Sequence, residues 1–239
     1  MELKPTEIGY ITDNDIRTLT AYKDILLDRN KIKRKIERIL KRSFDIVGGI
    51  AGVVALVPLT VGLFIAKIIL NDKGPLFYCQ ERIGENGKIF KMFKYRSMCV
   101  GADEKLKIYL EENEEAKKEY EKYKKLKHDP RVTKMGNFIR KTSIDEFPQF
   151  LNVLKGDMSI VGPRPYLERE KDDMDYYYNY IISCKPGITG YWQIAGRSNA
   201  TFKDRLHMDM DYLKKQNLIT DLKIVKKTVE NCVKKEGAV

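Results

Sequence analysis

An adjacent pair of carboxylates, Asp145 and Glu146, is the part of the sequence best equipped for chemistry. Arg140 and Lys141 precede the pair, and the turn Gly162–Pro165, read Gly-Pro-Arg-Pro, follows it. Two carboxylates about 4 Å apart repel each other by around 4 kcal/mol at an effective dielectric constant near 20, so a cation must offset them. Arginines can do this in part, and Mg²⁺ more fully, since Mg²⁺ is typically held by one or two carboxylates and substrate phosphates. The stretch therefore predicts a site for an anionic substrate that carries phosphate.

Asp145 is also a candidate nucleophile. A carboxylate beside Mg²⁺ and arginines can attack a phosphorus atom and form an acyl phosphate. An aspartate needs no activating base for this, because its unperturbed pKa of about 3.9 leaves it ionised at neutral pH. Pro163 and Pro165 fix φ on both sides of Arg164. They restrict the direction of a guanidinium group that is well suited to bidentate phosphate contact.

Helix capping is the competing explanation of the acid pair. Ser143-Ile144-Asp145-Glu146 matches a capping box, with Ser143 as the N-cap and Glu146 at the third helical position. Alternatively Asp145 is itself the N-cap, which leaves Pro148 in the first turn, where its missing N–H costs little. Acids at a helix start also favour the helix dipole. Both alternatives predict a helix that begins at the acid pair.

Several elements must position these residues. Apolar and aromatic runs flank the turn Gly84–Gly87 and predict a β-hairpin with one cationic face. The cations on its strands are Arg82, Lys91, Lys94 and Arg96. Asp103–Lys127 reads as one charged helix, either solvated or a surface for a partner helix. Thr201–Leu213 predicts a capped helix, and Leu218–Cys232 a final amphipathic helix that rests on the core or on lipid headgroups.

The run Ile46–Ala66 is 21 residues long and contains no charge. As a helix it would extend about 30 Å, enough to cross a bilayer core. Pro58 interrupts it and basic residues lie on both sides, so both flanks prefer the cytoplasm. We therefore predict a broken, re-entrant helix that enters and leaves the membrane on one face. The preceding segment, Lys31–Arg42, is basic and amphipathic, as expected for contact with anionic phospholipids.

The composition sets broad limits. A formal charge of +11 over 239 residues predicts an anionic partner: nucleic acid, a phospholipid surface or a phosphorylated metabolite. The four cysteines form no C-x-x-C motif, which disfavours a metal cage or a disulfide framework and favours a reducing cytoplasm. The polar, acidic start of the chain does not resemble a cleavable signal peptide.

A series of motifs in a fixed order gives the chain a family resemblance. Besides the Arg82 hairpin, the motifs are Lys41–Asp45, Phe93–Met98, Arg140–Asn152, Lys155–Ser159, Gly162–Pro165 and Lys185–Gly190. Over roughly residues 39–235 the chain resembles the bacterial sugar transferase family, the monotopic phosphoglycosyl transferases that start glycan assembly on a polyprenyl phosphate. It departs from the family at Val57-Pro58, where Ser-Pro is common, and at Ile-Asp-Glu-Phe-Pro-Gln in place of Leu-Asp-Glu-Leu-Pro-Gln. Without a multi-pass N-terminal membrane domain, it resembles the short form.

The resemblance implies a Mg²⁺-dependent transferase that acts in two steps. Asp145 would attack the β-phosphate of a UDP-sugar, release UMP and hold the phosphosugar, which polyprenyl (undecaprenyl) phosphate would then take. Glu146 would help Asp145 to hold Mg²⁺. The substrate-binding residues would be Arg82, Lys94, Arg96, Arg140, Arg164, Pro163 and Pro165. The product would start a membrane-linked glycan, such as an exopolysaccharide, a capsule, an O-antigen or a glycoprotein glycan.

The expected fold is α+β and mostly helical, with a small β-hairpin, an N-terminal re-entrant membrane helix and amphipathic interfacial helices. Residues 1–42 would form a basic helical region, 43–70 the re-entrant helix, and 71–239 a cytosolic catalytic domain with the charged helix inserted at about 103–127. The protein would be monotopic on the cytoplasmic face of the inner (plasma) membrane. Its expected partners are a UDP-sugar, polyprenyl phosphate and membrane phospholipids but no nucleic acid, and a homodimer stays open.

Two other functions compete with this interpretation. A catalytically silent homologue would bind the nucleotide sugar as a scaffold, and UMP release separates it from an enzyme. A peripheral protein would bind anionic lipid or nucleic acid through charge alone, with salt-sensitive binding and no turnover. The second function accounts for the basic helices but not for a carboxylate pair held between arginines.

Overall fold

The computed structural model describes residues 31–195 and 200–234, so the helices predicted within 1–30 lie outside the described residues. The α-helices are α1 (Lys31–Ile69), α2 (Ala102–Glu112), α3 (Glu114–Tyr123), α4 (Lys134–Lys141), α5 (Gln149–Lys155), α6 (Tyr177–Ile181), α7 (Tyr191–Ile194), α8 (Phe202–Lys215) and α9 (Leu218–Lys234). The strands are β1 (Phe77–Ile83), β2 (Ile89–Tyr95), β3 (Ser159–Val161) and β4 (Gly187–Thr189). This mostly helical chain with a small antiparallel hairpin confirms the predicted fold class.

Helix α1 joins the basic segment to the apolar run. It continues without interruption through Pro58, so the domain boundary predicted at residues 42/43 falls inside one helix. The stretch Lys35–Ile69 is long and apolar enough to cross a membrane, and only 22% of its most apolar window is buried. The outward side chains include Val47, Val54 and Ile68. An apolar surface of this kind suits a membrane, and the re-entrant course stays a prediction.

The opposite face of α1 packs closely on α5. A Cβ atom on Gly52 would lie 2.2 Å from the ring of Phe150, and one on Gly49 would lie 2.6 Å from Leu154. Glycine therefore allows the two helix backbones to approach each other. Arg42 adds a polar anchor, because its guanidinium donates to the carbonyl of Leu154 at 2.9 Å and to that of the residue before it at 2.7 Å.

Hydroxyl groups collect near Pro58. Thr60 Oγ1 donates to the carbonyl of Leu56 at 2.8 Å and lies 2.6 Å from the hydroxyl of Tyr95 at the end of β2. The Thr60 hydroxyl lies two residues after Pro58. This contact connects the middle of the apolar run to the hairpin.

The hairpin forms where it was predicted. Strands β1 and β2 pair antiparallel, with Arg82 opposite Phe90 and Tyr78 opposite Lys94. Side chains alternate between the two faces of a strand, so Arg82 and Lys94 share one face and Lys91 points to the other. The prediction that these cations form a single face is therefore wrong for Lys91.

The charged segment is a helical hairpin and not the single predicted helix. Helices α2 and α3 meet at Asn113, which has extended backbone angles and accepts a hydrogen bond from the Ala116 N–H at 3.0 Å. Asn113 therefore acts as the N-cap of α3, and a residue with that backbone geometry cannot continue α2. The charge pattern predicted one helix over this segment, and the capping asparagine divides the segment into two helices.

The C-terminal helices match the prediction. Thr201 and Asp204 form the capping box at the start of α8, with hydrogen bonds of 3.1 and 2.8 Å. Helix α9 returns along the domain, and its buried Asp221 accepts a hydrogen bond of 2.6 Å from Lys41 of α1. Strands β3 and β4 pair in parallel between these helices.

Candidate active site

The acid pair lies in a tight turn between α4 and α5. Ser143 has a left-handed conformation (φ 55°) and makes no capping hydrogen bond, and a 3₁₀ turn, Ile144–Glu146, follows it. Both capping predictions are therefore wrong. The physical reason is that Ser143 follows the C-cap Thr142 and terminates α4, the usual place for a left-handed residue.

Asp145 is partly buried and close to other charges. Burial raises its pKa to about 6, and the neighbouring Glu146 carboxylate adds to the rise. Lys94 and Arg140 act in the opposite direction. With this pKa the carboxylate is still mostly ionised at pH 7, as a nucleophile requires.

Among the described residues, Glu146 makes long polar contacts with its neighbours. Its Oε1 lies 3.5 Å from Lys94 Nζ, and its Oε2 lies 3.4 Å from Gln193 Nε2. About a quarter of the Glu146 side chain is exposed. An ion pair that is this long and this hydrated is weak, so the carboxylate can still accept another cation.

Asp145 and Glu146 line a cavity of about 600 Å³. All five of the predicted basic residues line the same cavity: Arg82, Lys94, Arg96, Arg140 and Arg164. Pro163 and Pro165 instead line small hollows beside it. The Pro165 carbonyl accepts a hydrogen bond of 2.8 Å from Arg82, so this proline acts on the site through its backbone.

The predicted arginines differ in how far the protein already uses them. Each of the three Arg96 nitrogens donates a hydrogen bond, to Asp72, to the carbonyl of Pro75 and to the carbonyl of Met98. Arg140 donates from Nε to Ser97 at 2.9 Å, and burial lowers its pKa. Arg82 is 7% exposed, and burial together with the charge of Arg164 lowers its pKa to about 9.

Arg164 is held through its backbone. Its N–H donates to Asp209 Oδ2 at 3.1 Å, and Tyr166 donates to the same oxygen at 2.7 Å. The guanidinium lies over Trp192, 5.1 Å from the ring centre, a geometry typical of cation–π contact. Burial raises the pKa of Asp209 to about 7. Through its hydrogen bond to the Arg164 N–H, the Asp209 side chain fixes the turn that carries Arg164.

Sequence reasoning missed several residues that line the cavity or support it. They are Ser97, Lys125, Trp192, Gln193, Arg205 and Asp209. Arg205 and Asp209 could have been found, because the predicted capping box starts α8 and these residues are four apart on one face of that helix. The structure gives Asp209 a positioning role, because its carboxylate accepts a hydrogen bond from the backbone N–H of Arg164.

The acid pair fits a Mg²⁺ ion that is shared with a substrate. Within the described residues, no group of three or more histidine, cysteine or acidic side chains could hold a metal by itself. Mg²⁺ accepts one or two carboxylates when substrate phosphates complete its shell. The mutual repulsion of Asp145 and Glu146 and the long contacts of Glu146 leave both carboxylates able to bind such an ion.

Comparisons with known proteins show which family the chain resembles. A family model described as bacterial sugar transferase matches residues 36–235. An undecaprenyl-phosphate galactose phosphotransferase of Salmonella typhimurium is 40% identical over 100% of this chain and 48% of its own length. The exopolysaccharide production protein ExoY of Sinorhizobium fredii is 41% identical over 82% of this chain and 86% of its own. A UDP-glucose:undecaprenyl-phosphate glucose-1-phosphate transferase of Escherichia coli is 37% identical over 81% of this chain and 40% of its own.

The chain spans about half the length of several of these relatives, including the Salmonella protein. The family model nevertheless covers most of the chain, including the hairpin, the acid pair and the Gly162–Pro165 turn. The chain therefore belongs to the bacterial sugar transferase family.

Proposed function

We propose that this protein transfers a sugar 1-phosphate from a UDP-sugar to polyprenyl (undecaprenyl) phosphate. The observation that carries the proposal is the position of Asp145, a partly buried carboxylate in a cavity lined by five predicted cations. Two relatives support it by their names, the undecaprenyl-phosphate galactose phosphotransferase and the UDP-glucose:undecaprenyl-phosphate glucose-1-phosphate transferase. ExoY adds exopolysaccharide production as the pathway class.

In the first step, an Asp145 carboxylate oxygen forms a bond to the β-phosphorus of the UDP-sugar. The bond from that phosphorus to the bridging oxygen breaks, and UMP leaves with the bonding electron pair. Lys94 and Arg140, whose charges act on Asp145, would neutralise the transferred phosphate. Electrostatic stabilisation of this kind is the main contribution a protein makes to phosphoryl transfer.

In the second step, an oxygen of polyprenyl phosphate attacks the same phosphorus. The acyl phosphate bond breaks, and its electrons return to the Asp145 carboxylate. The product is a polyprenyl diphosphate sugar. A Mg²⁺ ion held by Asp145 and Glu146 would supply charge neutralisation at the phosphates. Gln193 and Lys94 make long polar contacts with the Glu146 carboxylate beside Asp145.

The lipid acceptor requires a membrane location. Helix α1 presents an apolar outer surface, and its Thr60 contacts Tyr95, a residue that lines the cavity. The apolar run therefore lies directly beside the cavity. Cations on both sides of the run favour a monotopic, re-entrant helix on the cytoplasmic face of the inner membrane. Both ends would then lie in the cytoplasm, where UDP-sugars are made.

Intact-mass analysis tests the nucleophile. Detergent-solubilised protein with Mg²⁺ and UDP-galactose should gain the mass of one phosphosugar and release UMP, and undecaprenyl phosphate should remove the adduct. Asp145→Asn should abolish the adduct and turnover, and chelation of Mg²⁺ should slow both steps. The matched control is Asp172→Asn, at an exposed aspartate outside the cavity, which should behave as wild type. An adduct on Asp145→Asn would show that another residue is the nucleophile.

Cysteine labelling tests the topology. In a chain without the four native cysteines, Ser43→Cys and Lys73→Cys place one exposed thiol at each end of the apolar run. A membrane-impermeant reagent added to spheroplasts should reach neither thiol until the membrane is opened. Labelling of one thiol alone in sealed spheroplasts would mean that α1 crosses the membrane.

A further inference from the structure

A second group of cations lines the cavity near the α2–α3 helical hairpin. It consists of Lys125, Arg164 and Arg205. Arg205 is 2% exposed, and its Nη2 donates to the carbonyl of Tyr123 at 2.7 Å and to that of Ala200 at 3.3 Å. Lys125 follows Tyr123 by two residues, so Arg205 also fixes the segment that carries Lys125.

These arginines have donors left for a ligand. Within the described part of the chain, the buried Nε atoms of Arg164 and Arg205 have no hydrogen-bond partner, and neither has that of the neighbouring Arg82. Buried donors are seldom left unsatisfied, because each unsatisfied donor costs free energy. Three such donors around one cavity indicate a missing anionic ligand that accepts several hydrogen bonds.

The positive charges of Lys125, Arg164 and Arg205 repel one another, which also indicates a site for an anion. Burial, and then the charges of Arg205 and Arg164, lowers the pKa of Lys125 to about 8. Burial, and then the charge of Arg164, lowers the pKa of Arg205 to about 10. The charges of buried Glu170 and of Asp209 oppose this fall in the pKa of Arg205. The charges that act most strongly on Asp145, by contrast, are those of Lys94, Glu146 and Arg140, and neither Lys125 nor Arg205 is among them.

The insertion is therefore part of the site. Residues of both its helices and of the following loop line the cavity. Lys124 pairs with Asp173 at 2.7 Å, and Arg169 reaches Tyr120 at 3.4 Å, which holds the hairpin against the rest of the domain. The sequence pattern predicted a solvated or partner-binding helix at 103–127, whereas the C-terminal end of this segment supplies a cation, Lys125, to the cavity.

The two-step chemistry requires a second phosphate site. In a displacement at phosphorus, the attacking and leaving oxygens lie roughly in line. UMP leaves on the side opposite Asp145, so the lipid phosphate must approach from that side in the second step. Both molecules are phosphate monoesters, and they occupy the same region in turn. This step rests on the proposed function.

We propose that Lys125 and Arg205, together with Arg164, form a phosphate-monoester subsite that binds the phosphate of UMP and then that of the polyprenyl acceptor. The insertion thereby contributes a substrate-binding residue, Lys125, that neither the acid pair nor the Gly162–Pro165 turn predicts.

Trp192 fluorescence tests the subsite, since this is the sole tryptophan of the sequence and Arg164 lies over its ring. Lys125→Met should weaken UMP binding about tenfold or more and leave uridine binding unchanged, because uridine lacks the phosphate. Lys125→Arg should keep most of the affinity. Lys122→Met, at an exposed lysine of α3, is the matched control and should bind UMP as wild type does. Equal UMP affinity in Lys125→Met and wild type, or an equal loss for uridine, would overturn the proposal.

A chase experiment separates the two phosphate monoesters. Adduct formed from UDP-galactose and freed of UMP is mixed with undecaprenyl phosphate, and the loss of adduct is timed. Lys125→Met should slow this loss about tenfold, whereas a wild-type rate would restrict the subsite to UMP and refute its shared use. If wild type forms no adduct, the proposed function fails, and the comparison of UMP with uridine still decides whether the subsite exists.

Discussion

Asp209 should make the stability of the protein depend on pH. Its side chain is fully buried, and Oδ2 accepts hydrogen bonds from Tyr166 and from the backbone of Arg164. Oδ1 has no partner among the described residues. Burial raises the pKa of Asp209 from 3.8 to about 7, and the hydrogen bond from Tyr166 limits the rise. We therefore expect the group to titrate close to neutral pH in the folded protein.

The sign of the effect follows from proton linkage. The folded state binds the proton more tightly than the unfolded state does, so the contribution of Asp209 to stability is complete below pH 3.8. It declines above that pH and is lost as the pH rises through about 7. The difference between the folded and unfolded pKa values corresponds to about 4 kcal/mol in the free energy of unfolding. About 3 kcal/mol of this is lost between pH 5 and pH 8. Asp209→Asn cannot titrate and should lack this decline.

The measurement is the free energy of unfolding by urea in detergent micelles at several pH values, followed by Trp192 fluorescence. The difference between wild type and Asp209→Asn removes the contributions of all other titrating groups. Tyr166→Phe should move the decline to higher pH, because it removes a hydrogen bond that favours the ionised form. If the wild-type and Asp209→Asn curves run parallel between pH 5 and pH 8, the reasoning is wrong.

Two further predictions concern packing and anchoring. Gly136→Ala should lower the free energy of unfolding by about 2 kcal/mol or more, since its Cβ would approach a backbone carbonyl oxygen to 1.8 Å. Gly62→Ala is the control and should not lower it, because a Cβ there would have nothing within 4 Å. Equal effects of the two substitutions would contradict the packing argument. Arg42→Gln should lower the free energy of unfolding by about 1–3 kcal/mol, because two carbonyl oxygens at the end of α5 lose their donor. Arg38→Gln, at an exposed arginine, is the control, and a loss of equal size there would refute the anchoring role.

Much of the fold could be predicted because its signals are local. The alternating runs around Gly84–Gly87 specify a hairpin, and the capping box at Thr201 specifies the start of α8, without reference to distant residues. The length and composition of the apolar run likewise predicted a helix long enough to cross a bilayer core, and α1 contains that run. The break expected at Pro58 does not interrupt α1. These patterns depend on neighbours within a few positions, so a single sequence contains them in full.

The acid pair shows where local patterns become ambiguous. Ser-x-x-Glu before an apolar run is typical of a capping box, but a serine directly after a helix can also end that helix in a left-handed conformation. Here α4 ends at Lys141 and Ser143 takes the second role. The choice depends on where the preceding helix stops, which its own sequence marks only weakly. The prediction that Asp145 and Glu146 form a catalytic pair did not depend on that choice, and it stays a prediction.

The functions of individual cations depend on contacts that a sequence does not contain. Arg96 and Arg164 both lie in motifs that predict phosphate binding, yet Arg96 donates from all three nitrogens to the protein. The buried Nε of Arg164, by contrast, has no partner among the residues that the structure describes. A phosphate that approached Arg96 would compete with the Asp72 carboxylate, and the exchange would return little net free energy. At Arg164 and Arg205 the same phosphate would satisfy buried donors that have no partner among the described residues. An anion that enters the cavity therefore gains more binding free energy at Arg164 and Arg205 than at Arg96, although all three arginines look alike in the sequence.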